Sequence, residues 1–178
     1  VLAVLYLIFN EGYLSTTPAS VREDLCTEAI RLTRQLREAS ASLGPQPEVL
    51  GLLALMLLLD ARRPARVRDG VLVTLPDQDR SAWNSHQIEE GHALVRQCLT
   101  LNRPGPYQIQ AAINAVHTDA PDASSVDWSQ VVALYDQLAR LSRSPIVELN
   151  RAVAVAMAEG ADRGLDLIDR IEGLNDYH

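Results

Sequence analysis

An uninterrupted apolar run from Val49 to Leu59 constrains this chain more than any other feature. A helix that is apolar on every side has to be buried on every side. The run is too short to span a bilayer, which takes about 20 apolar residues in a helix. We therefore expect a helix from Glu48 to Asp60 at the centre of a helical core, with no membrane association.

Composition narrows the class of protein further. The chain has 178 residues, of which 47% are hydrophobic and only 4% aromatic, so its core is filled mainly by Ala, Leu, Val and Ile, as in packed helices. The formal net charge is −7, which disfavours direct binding of duplex DNA, since that depends on Lys and Arg. Cys26 and Cys98 are too few for a disulfide framework, so we expect a reduced, cytoplasmic protein.

Helix start and stop signals predict seven or eight helices. Ser20 with Glu23 matches a capping box, and Asp127 with Gln130 predicts a second capped start. Around the apolar helix, the predicted helices run from residue 1 to near Gly12, from Ser20 to about Ser40, from about Ala82 to Leu101, from Pro106 to His117, from Asp127 through Leu138, from Pro145 to Gly160 and from about Asp162 to Ile171. Residues 66–75 are rich in β-branched side chains around Asp69-Gly70, which predicts a short β-hairpin inserted between helices.

From Asp127 onward the predicted helices are short and joined by tight turns. This pattern is typical of tetratricopeptide-repeat (TPR)-like arrays, in which helix pairs stack because one pair cannot bury its own apolar face. The sequence thus predicts an all-α array of antiparallel helix pairs, a TPR-like superhelix with one hairpin near 66–75. We expect a single helical domain over 1–178, with a first part at 1–120 and TPR-like pairs at 121–178, where the array is cut short.

Polar residues collect where the predicted helices end. In an up-down array, helix ends alternate between two rims, and several ends with polar side chains fall on the same rim. The expected cluster contains Asn10, Glu11, Asp60, Arg62, Arg63, Asp79, Arg80, Trp83, His117, Asp127 and Trp128. Such a cluster is either a binding surface with Arg and Trp anchors, or a structural ion-pair network that satisfies helix ends and fixes the hairpin.

Other candidate chemistry is weak. His86 and His92 lie six residues apart, not at the spacing of four that lets two His on one helix bind zinc. Cys26 and Cys98 fall in apolar stripes, where a free Cys behaves as a small core residue. The segment Tyr107 to Gln110 would be a polar helix start or part of a small-ligand groove. We expect no enzyme, metal or cofactor.

Several longer blocks resemble one family in order along the chain. They are YLIFNEGY (Tyr6 to Tyr13), DLCTEAIRL (Asp24 to Leu32), LGLLALMLLLDARRPAR (Leu50 to Arg66), DQDRSAW (Asp77 to Trp83), GPYQIQAAINAVH (Gly105 to His117), DWSQVVALYDQL (Asp127 to Leu138) and SPIVELNRAVAVAMAEG (Ser144 to Gly160). The chain resembles the C-terminal helical, TPR-like extension of bacterial extracytoplasmic-function (ECF) RNA polymerase sigma factors.

The resemblance implies a regulatory domain of a transcription initiation factor whose promoter-reading domains lie outside this chain. We expect it to be a piece of a longer protein, since it opens inside an apolar helix without Met. The implied partners are the sigma domains of the same protein, RNA polymerase core, or a signalling protein. The alternative is a free-standing helical-repeat scaffold that binds a peptide or protein, unrelated to transcription. An oligomer is compatible with either, since the first helix is strongly apolar.

Overall fold

The computed structural model describes residues 1–13, 20–142 and 144–171, with residues 20–23 described by their backbone alone. In these ranges the chain forms nine α-helices and one two-stranded sheet, which confirms the all-α class with a short hairpin. The helices are α1 Leu2–Tyr13, α2 Ser20–Ala39, α3 Pro47–Asp60, α4 Arg63–Arg66, α5 Ser85–Leu101, α6 Pro106–Asp119, α7 Trp128–Leu141, α8 Pro145–Glu159 and α9 Ala161–Ile168. The strands are β1 Val67–Arg68 and β2 Val71–Leu72. No helix in the described ranges is both long and apolar enough to cross a membrane.

Helix α3 is the centre of the main core, as its apolar sequence predicts. Every residue from Leu52 to Leu58 is at most 1% exposed. Helices α1, α2, α5 and α6 surround it and contribute buried side chains such as Phe9, Ala29 and Leu94. An apolar helix buried on all sides fixes the layout of the other helices, because each of them has to turn its own apolar face toward α3.

Helix α3 approaches two neighbours closely through glycines. At Gly91 of α5, an added Cβ would lie 2.7 Å from Leu58 Cγ of α3. At Gly51 of α3, an added Cβ would lie 2.6 Å from the backbone N of Gln108 in α6. The backbones therefore pack where an L-side chain has no room. Helix α5 runs antiparallel to α3, since Asn84 N–H donates to the Ala61 carbonyl at 2.9 Å while Cys98 lies against Pro47.

The start of α6 is capped by a side chain from α3. Helix α6 begins at Gly105 and Pro106, and neither residue offers a side-chain cap. Instead, Glu48 Oε2 accepts a hydrogen bond from Tyr107 N–H at 3.1 Å, and its Oε1 accepts from Gln108 N–H at 3.3 Å. Gln108, itself buried, also donates from Nε2 to Glu48 Oε1 at 3.0 Å. Gln108 is thus an internal hydrogen-bonded residue rather than a solvated helix start.

A second, smaller core joins α6 to the C-terminal helices. It contains Ile109 and Ile113 of α6, Val131 and Leu138 of α7, and Ala154 of α8. These residues recur at helical spacing on their own helices, so each helix presents one apolar stripe to its neighbour.

The C-terminal helices form the closely packed pairs that the sequence predicts. Arg151 of α8 donates from Nε to Asp136 Oδ1 of α7 at 2.6 Å across the first pair. Helix α8 ends at Gly160, whose φ of 107° suits glycine. On α9, a Cβ added at Gly164 would lie 2.5 Å from Ala156 Cβ. Small residues thus let α9 lie directly on α8.

Some predicted boundaries are wrong for local reasons. Gly12 lies inside α1, which continues to Tyr13. Pro64 lies at the second position of a further short helix, α4, where its missing N–H costs nothing. Helix α5 begins at Ser85, after a 3₁₀ turn over Arg80–Ala82. The final helix stops at Ile168 rather than Ile171. The Ser20–Glu23 capping box lies outside the described side chains.

The hairpin is confirmed but is shorter than residues 66–75. Only two residues pair in each strand, with Val67 opposite Leu72 and Arg68 opposite Val71. Its turn has Asp69 at φ 52° and Gly70 at φ 77°, the pair of positive angles of a type I′ turn. The hairpin follows α4 directly and therefore projects from the end of α3.

Candidate interaction site at one rim of the helices

Five helix termini meet at one rim of the molecule, namely the ends of α1, α3 and α6 and the starts of α5 and α7. The chain after α3 reaches α6 through Arg62, whose Nη2 donates to Asn114 Oδ1 at 2.8 Å. The end of α6 meets the start of α7, where the His117 and Trp128 rings lie 5.3 Å apart in an edge-to-face arrangement. The end of α1 joins through Tyr13, which contacts Arg62 and Arg66. The helix layout thus gathers side chains that are distant in sequence.

Arg62 is the buried member of this rim. Only 7% of the residue is exposed; its guanidinium donates to Asn114 and lies beside the Tyr13 side chain. Burial, and then the nearby Arg66 and Arg80, lower the pKa of Arg62, although an arginine stays protonated at any physiological pH. Its Nε is buried without a hydrogen-bond partner among the described residues.

Asp60, which is buried, forms an ion pair with the partly exposed Arg63. Arg63 Nε lies 3.0 Å from Asp60 Oδ1, and Asp60 is 6% exposed. The other carboxylate oxygen accepts a hydrogen bond from Gln87 Nε2 of α5 at 2.8 Å. A carboxylate held by two partners in a buried place ties the end of α3 to the start of α5.

Arg80 closes the end of α6. Its Nη1 donates to the backbone carbonyls of His117 at 2.9 Å and Ala120 at 2.8 Å, which are carbonyls that a helix end leaves without a partner. Its guanidinium carbon lies 4.5 Å from the centre of the Trp83 ring, a cation–π distance. The 3₁₀ turn that carries Arg80 and Trp83 thus fastens the start of α5 to α6.

Arg66 plays the same part at the end of α1. It donates from Nη1 to the Tyr13 carbonyl, and its guanidinium carbon lies 4.1 Å over the Tyr13 ring. Sequence reasoning did not select Arg66, Tyr13 or Asn114 for this cluster. The sequence signal for Arg66 is Pro64, because a proline can begin a helix, and the short helix α4 carries Arg66 back to α1.

His117 is a neutral imidazole among cations. Burial, and then Arg62 and Arg80, lower its pKa to about 4. Its Nδ1 is buried without a hydrogen-bond partner among the described residues, as is Trp83 Nε1. The edge-to-face contact with Trp128 holds the ring in place.

The remaining predicted members lie at the edge of the cluster or away from it. Asp79 and Asp127 are exposed and cap their own turns, accepting from Ser81 N–H at 2.9 Å and from Gln130 N–H at 3.0 Å. Asn10 lies about one turn before Tyr13, and its side chain faces that of Tyr6. Glu11 is exposed on the last turn of α1. The tight group is therefore Asp60, Arg62, Arg63, Arg80, Trp83, His117 and Trp128, with Tyr13, Arg66 and Asn114 added.

The other residues that the sequence singled out have structural surroundings. His92 hydrogen bonds with Thr118 Oγ1 at 2.8 Å rather than with His86, and the described residues hold no group of His, Cys, Asp or Glu placed for a metal ion. Cys26 and Cys98 are buried, as predicted for small core residues. Burial raises the pKa of the Cys98 thiol to about 11, which makes it a poor nucleophile.

Fold and rim together define an all-α protein with a single described hairpin and a rim of arginine and aromatic side chains. The chain belongs to a family of unknown function, DUF6596, whose model matches residues 1–99. It is also 44% identical over 184 residues to an uncharacterized protein of Rhizobium meliloti (strain 1021). That alignment covers 100% of this chain and 43% of the relative, so the chain spans less than half of the relative's length. No solved structure matches the chain.

Proposed function

We propose that this chain is a regulatory, protein-binding C-terminal domain of a cytoplasmic ECF RNA polymerase sigma factor. The observation that carries the binding role is the rim, where termini of separate helices bring arginine and tryptophan side chains together. Arg and Trp are the residue types that most often anchor protein interfaces. Arg66, Arg80 and Trp128 are partly exposed there, so a partner can reach them.

The sequence blocks that resemble sigma-factor extensions build this same rim. YLIFNEGY forms most of α1 and ends at Tyr13, and LGLLALMLLLDARRPAR forms α3 and α4. DQDRSAW forms the turn that holds Arg80 and Trp83. The family-like blocks therefore include both the central helix and the candidate contact residues. This supports a role in which the rim is specific to the family rather than an incidental surface.

Length and charge are compatible with this role. The relative's sequence extends well beyond the part that this chain matches, which leaves room for further domains in such a protein. The net charge of −7 would attract the basic, DNA-reading face of sigma domains to acidic surfaces of the chain outside the arginine-rich rim. Electrostatic docking of that kind weakens as salt screens exposed charges.

The test is promoter-dependent transcription in vitro with the full-length protein and with a version that stops just before Val1. Stronger initiation by the shortened protein would establish an inhibitory domain. Loss of initiation by a shortened protein that is still folded would establish a domain required for holoenzyme or open-complex formation. The assay is repeated over a range of salt concentrations. Equal initiation by the full-length and shortened proteins at every salt concentration would refute a regulatory role and favour the free-standing scaffold.

Single variants then test whether the rim makes the contact. Arg66→Glu reverses a partly exposed charge at the rim, and we expect it to change initiation in the same direction as removal of the domain. The matched control is Arg34→Glu, because Arg34 lies on α2 and pairs with Glu90 of α5 at 2.6 Å. A control that alters initiation as much as Arg66→Glu would contradict a specific contact at the rim.

A further inference from the structure

Three arginines lie around Tyr13 and His117 at the rim, Arg62 and Arg66 beside Tyr13, and Arg62 and Arg80 beside His117. Arg62 is linked to Arg66 through Tyr13, whose side chain lies beside both guanidinium groups. Arg80 contacts His117 through its carbonyl, and both Arg62 and Arg80 act electrostatically on the imidazole. We call this group of Arg62, Arg66, Arg80 and His117 the arginine recess.

The hydrogen bonds of the arginine recess go to neutral acceptors, although the Asp122 carboxylate acts electrostatically on Arg80. Arg62 donates to an amide and lies beside the Tyr13 phenol, Arg66 donates to a carbonyl, and Arg80 donates to carbonyls at the end of α6. Among the described side chains, no carboxylate lies within ion-pair distance of these three arginines. The nearby Asp60 is engaged by Arg63 and Gln87. Like charges kept this close, partly out of water, repel each other unless an anion joins them.

Three buried polar atoms on or beside these side chains have no hydrogen-bond partner among the described residues. They are Arg62 Nε, Trp83 Nε1 and His117 Nδ1. The first two are obligatory N–H donors, and the third donates in one tautomer of a neutral imidazole. Most buried donors in proteins are satisfied, so several orphans among neighbouring side chains indicate a missing acceptor. Arg66 and Arg80 are partly exposed, so solvent reaches part of these two side chains.

We propose that the arginine recess binds an oxyanion, the phosphate or polycarboxylate group of a small molecule. Guanidinium groups match the planar, multi-oxygen geometry of these anions and donate charge-assisted hydrogen bonds to them. Such a ligand would bridge the ends of α1 and α6 and the chain that follows α3. The site does not depend on the sigma-factor assignment, because it needs only residues of this chain.

The direct test follows the arginine Nε–H signals of the isotope-labelled chain by NMR. Inorganic phosphate and succinate are titrated separately, each against sodium chloride at matched ionic strength. We expect the Arg62 Nε–H signal to shift in a saturable way with at least one of the two anions, while the Arg34 signal stays unchanged. The anion that binds then distinguishes a phosphate from a carboxylate ligand.

Variants link the binding to the recess. Arg62 is buried and its replacement endangers folding, so the substitutions are Arg66→Gln and Arg80→Gln, each checked by circular dichroism. Removing one charge-assisted contact should weaken anion binding by roughly 10-fold or more. Arg66→Lys, which keeps the charge, should lose less, and the control Arg34→Gln should bind as the parent chain does.

Three results would overturn the proposal. One is an Arg62 signal that does not respond to either anion beyond its response to chloride. Another is saturable binding that survives unchanged in folded Arg66→Gln and Arg80→Gln chains. The last is an equal loss of affinity in Arg34→Gln, which would indicate general charge screening. None of these measurements uses RNA polymerase, so failure here and failure of the transcription experiment can be told apart.

Discussion

The close approach of α3 and α6 makes Gly51→Ala the most informative single substitution. The added Cβ would lie 2.6 Å from the Gln108 N and 2.9 Å from its Cα, whereas carbon atoms in contact normally lie about 3.5–4.0 Å apart. The obstacle is backbone rather than the end of a flexible side chain. The two helices therefore have to separate by about 1 Å, and the Glu48 cap on α6 stretches with them.

The expected cost follows from two opposing effects. Overpacking a filled core costs about 1–3 kcal/mol, and a backbone obstacle places this case near the upper limit. Replacing Gly by Ala inside a helix returns about 1 kcal/mol of helix propensity. The net loss in the free energy of unfolding is thus about 2 kcal/mol, which corresponds to a fall in Tm of about 4–8 °C for a chain of this size.

Urea unfolding followed by circular dichroism measures this loss, with Gly91→Ala as the matched control. Gly91 faces the Leu58 side chain at 2.7 Å, and a side chain rotates more easily than a helix moves, so we expect a smaller loss there. If Gly51→Ala is as stable as the parent chain, or if Gly91→Ala is the more damaging change, the argument from backbone contact is refuted.

Three further predictions concern single side chains. Asp127→Ala removes the α7 cap on Gln130 N–H and should lower the free energy of unfolding in urea by about 1 kcal/mol. An unchanged free energy of unfolding would mean that the cap does not stabilise the fold. Cys98, whose thiol pKa is raised to about 11, should react with a chromogenic thiol reagent only after unfolding, and rapid labelling of the folded chain would contradict its burial. The pKa of His117 is lowered from 6.5 to about 4 in the folded chain. Below about pH 6.5 the unfolded chain binds a proton at this residue before the folded chain does, and this destabilises the fold. As the pH is lowered from about 6.5 to about 4, the free energy of unfolding should fall by roughly 1 kcal/mol per pH unit. His117→Asn should make this fall shallower. An equally steep fall in the variant would refute the prediction.

Local signals predicted much of the fold. The apolar run of α3 predicts a central helix because no face of it tolerates water, and the Asp69-Gly70 pair predicts the hairpin because few residues adopt its turn angles. The cap at Asp127 is likewise a property of a few neighbouring residues. These features need no knowledge of what packs against them.

The rim was predicted in part, and its errors have a common cause. Helix-end counting brings Asp60, Arg62, Arg80 and His117 to one place, because alternation of helix direction is a simple rule. It cannot tell that the Asp79 carboxylate is used by its own turn, since local hydrogen bonds compete with distant ones. Helix-end counting also does not predict contacts made by a long side chain, such as the hydrogen bond from Arg62 to Asn114.

The Glu48 contact with α6 had no local signal of its own. Its partners lie 59 and 60 residues further along the chain. The sequence does contain an indirect signal. A helix that starts after Gly105 with Pro106 has no capping side chain of its own, so another segment has to supply one. Searching for helix starts without caps is therefore a way to predict contacts between distant segments.

That borrowed cap also bears on how the chain folds. The first turn of α6 is completed by a carboxylate on α3, so it gains its full stability only after the two helices have met, a contact that closes a long loop. Amide hydrogens of Tyr107 and Gln108, which donate to Glu48, would then exchange with solvent only when the α3–α6 pair opens as a unit. We therefore expect the central helix and α6 to unfold together, although the hairpin and all of α5 lie between them in sequence.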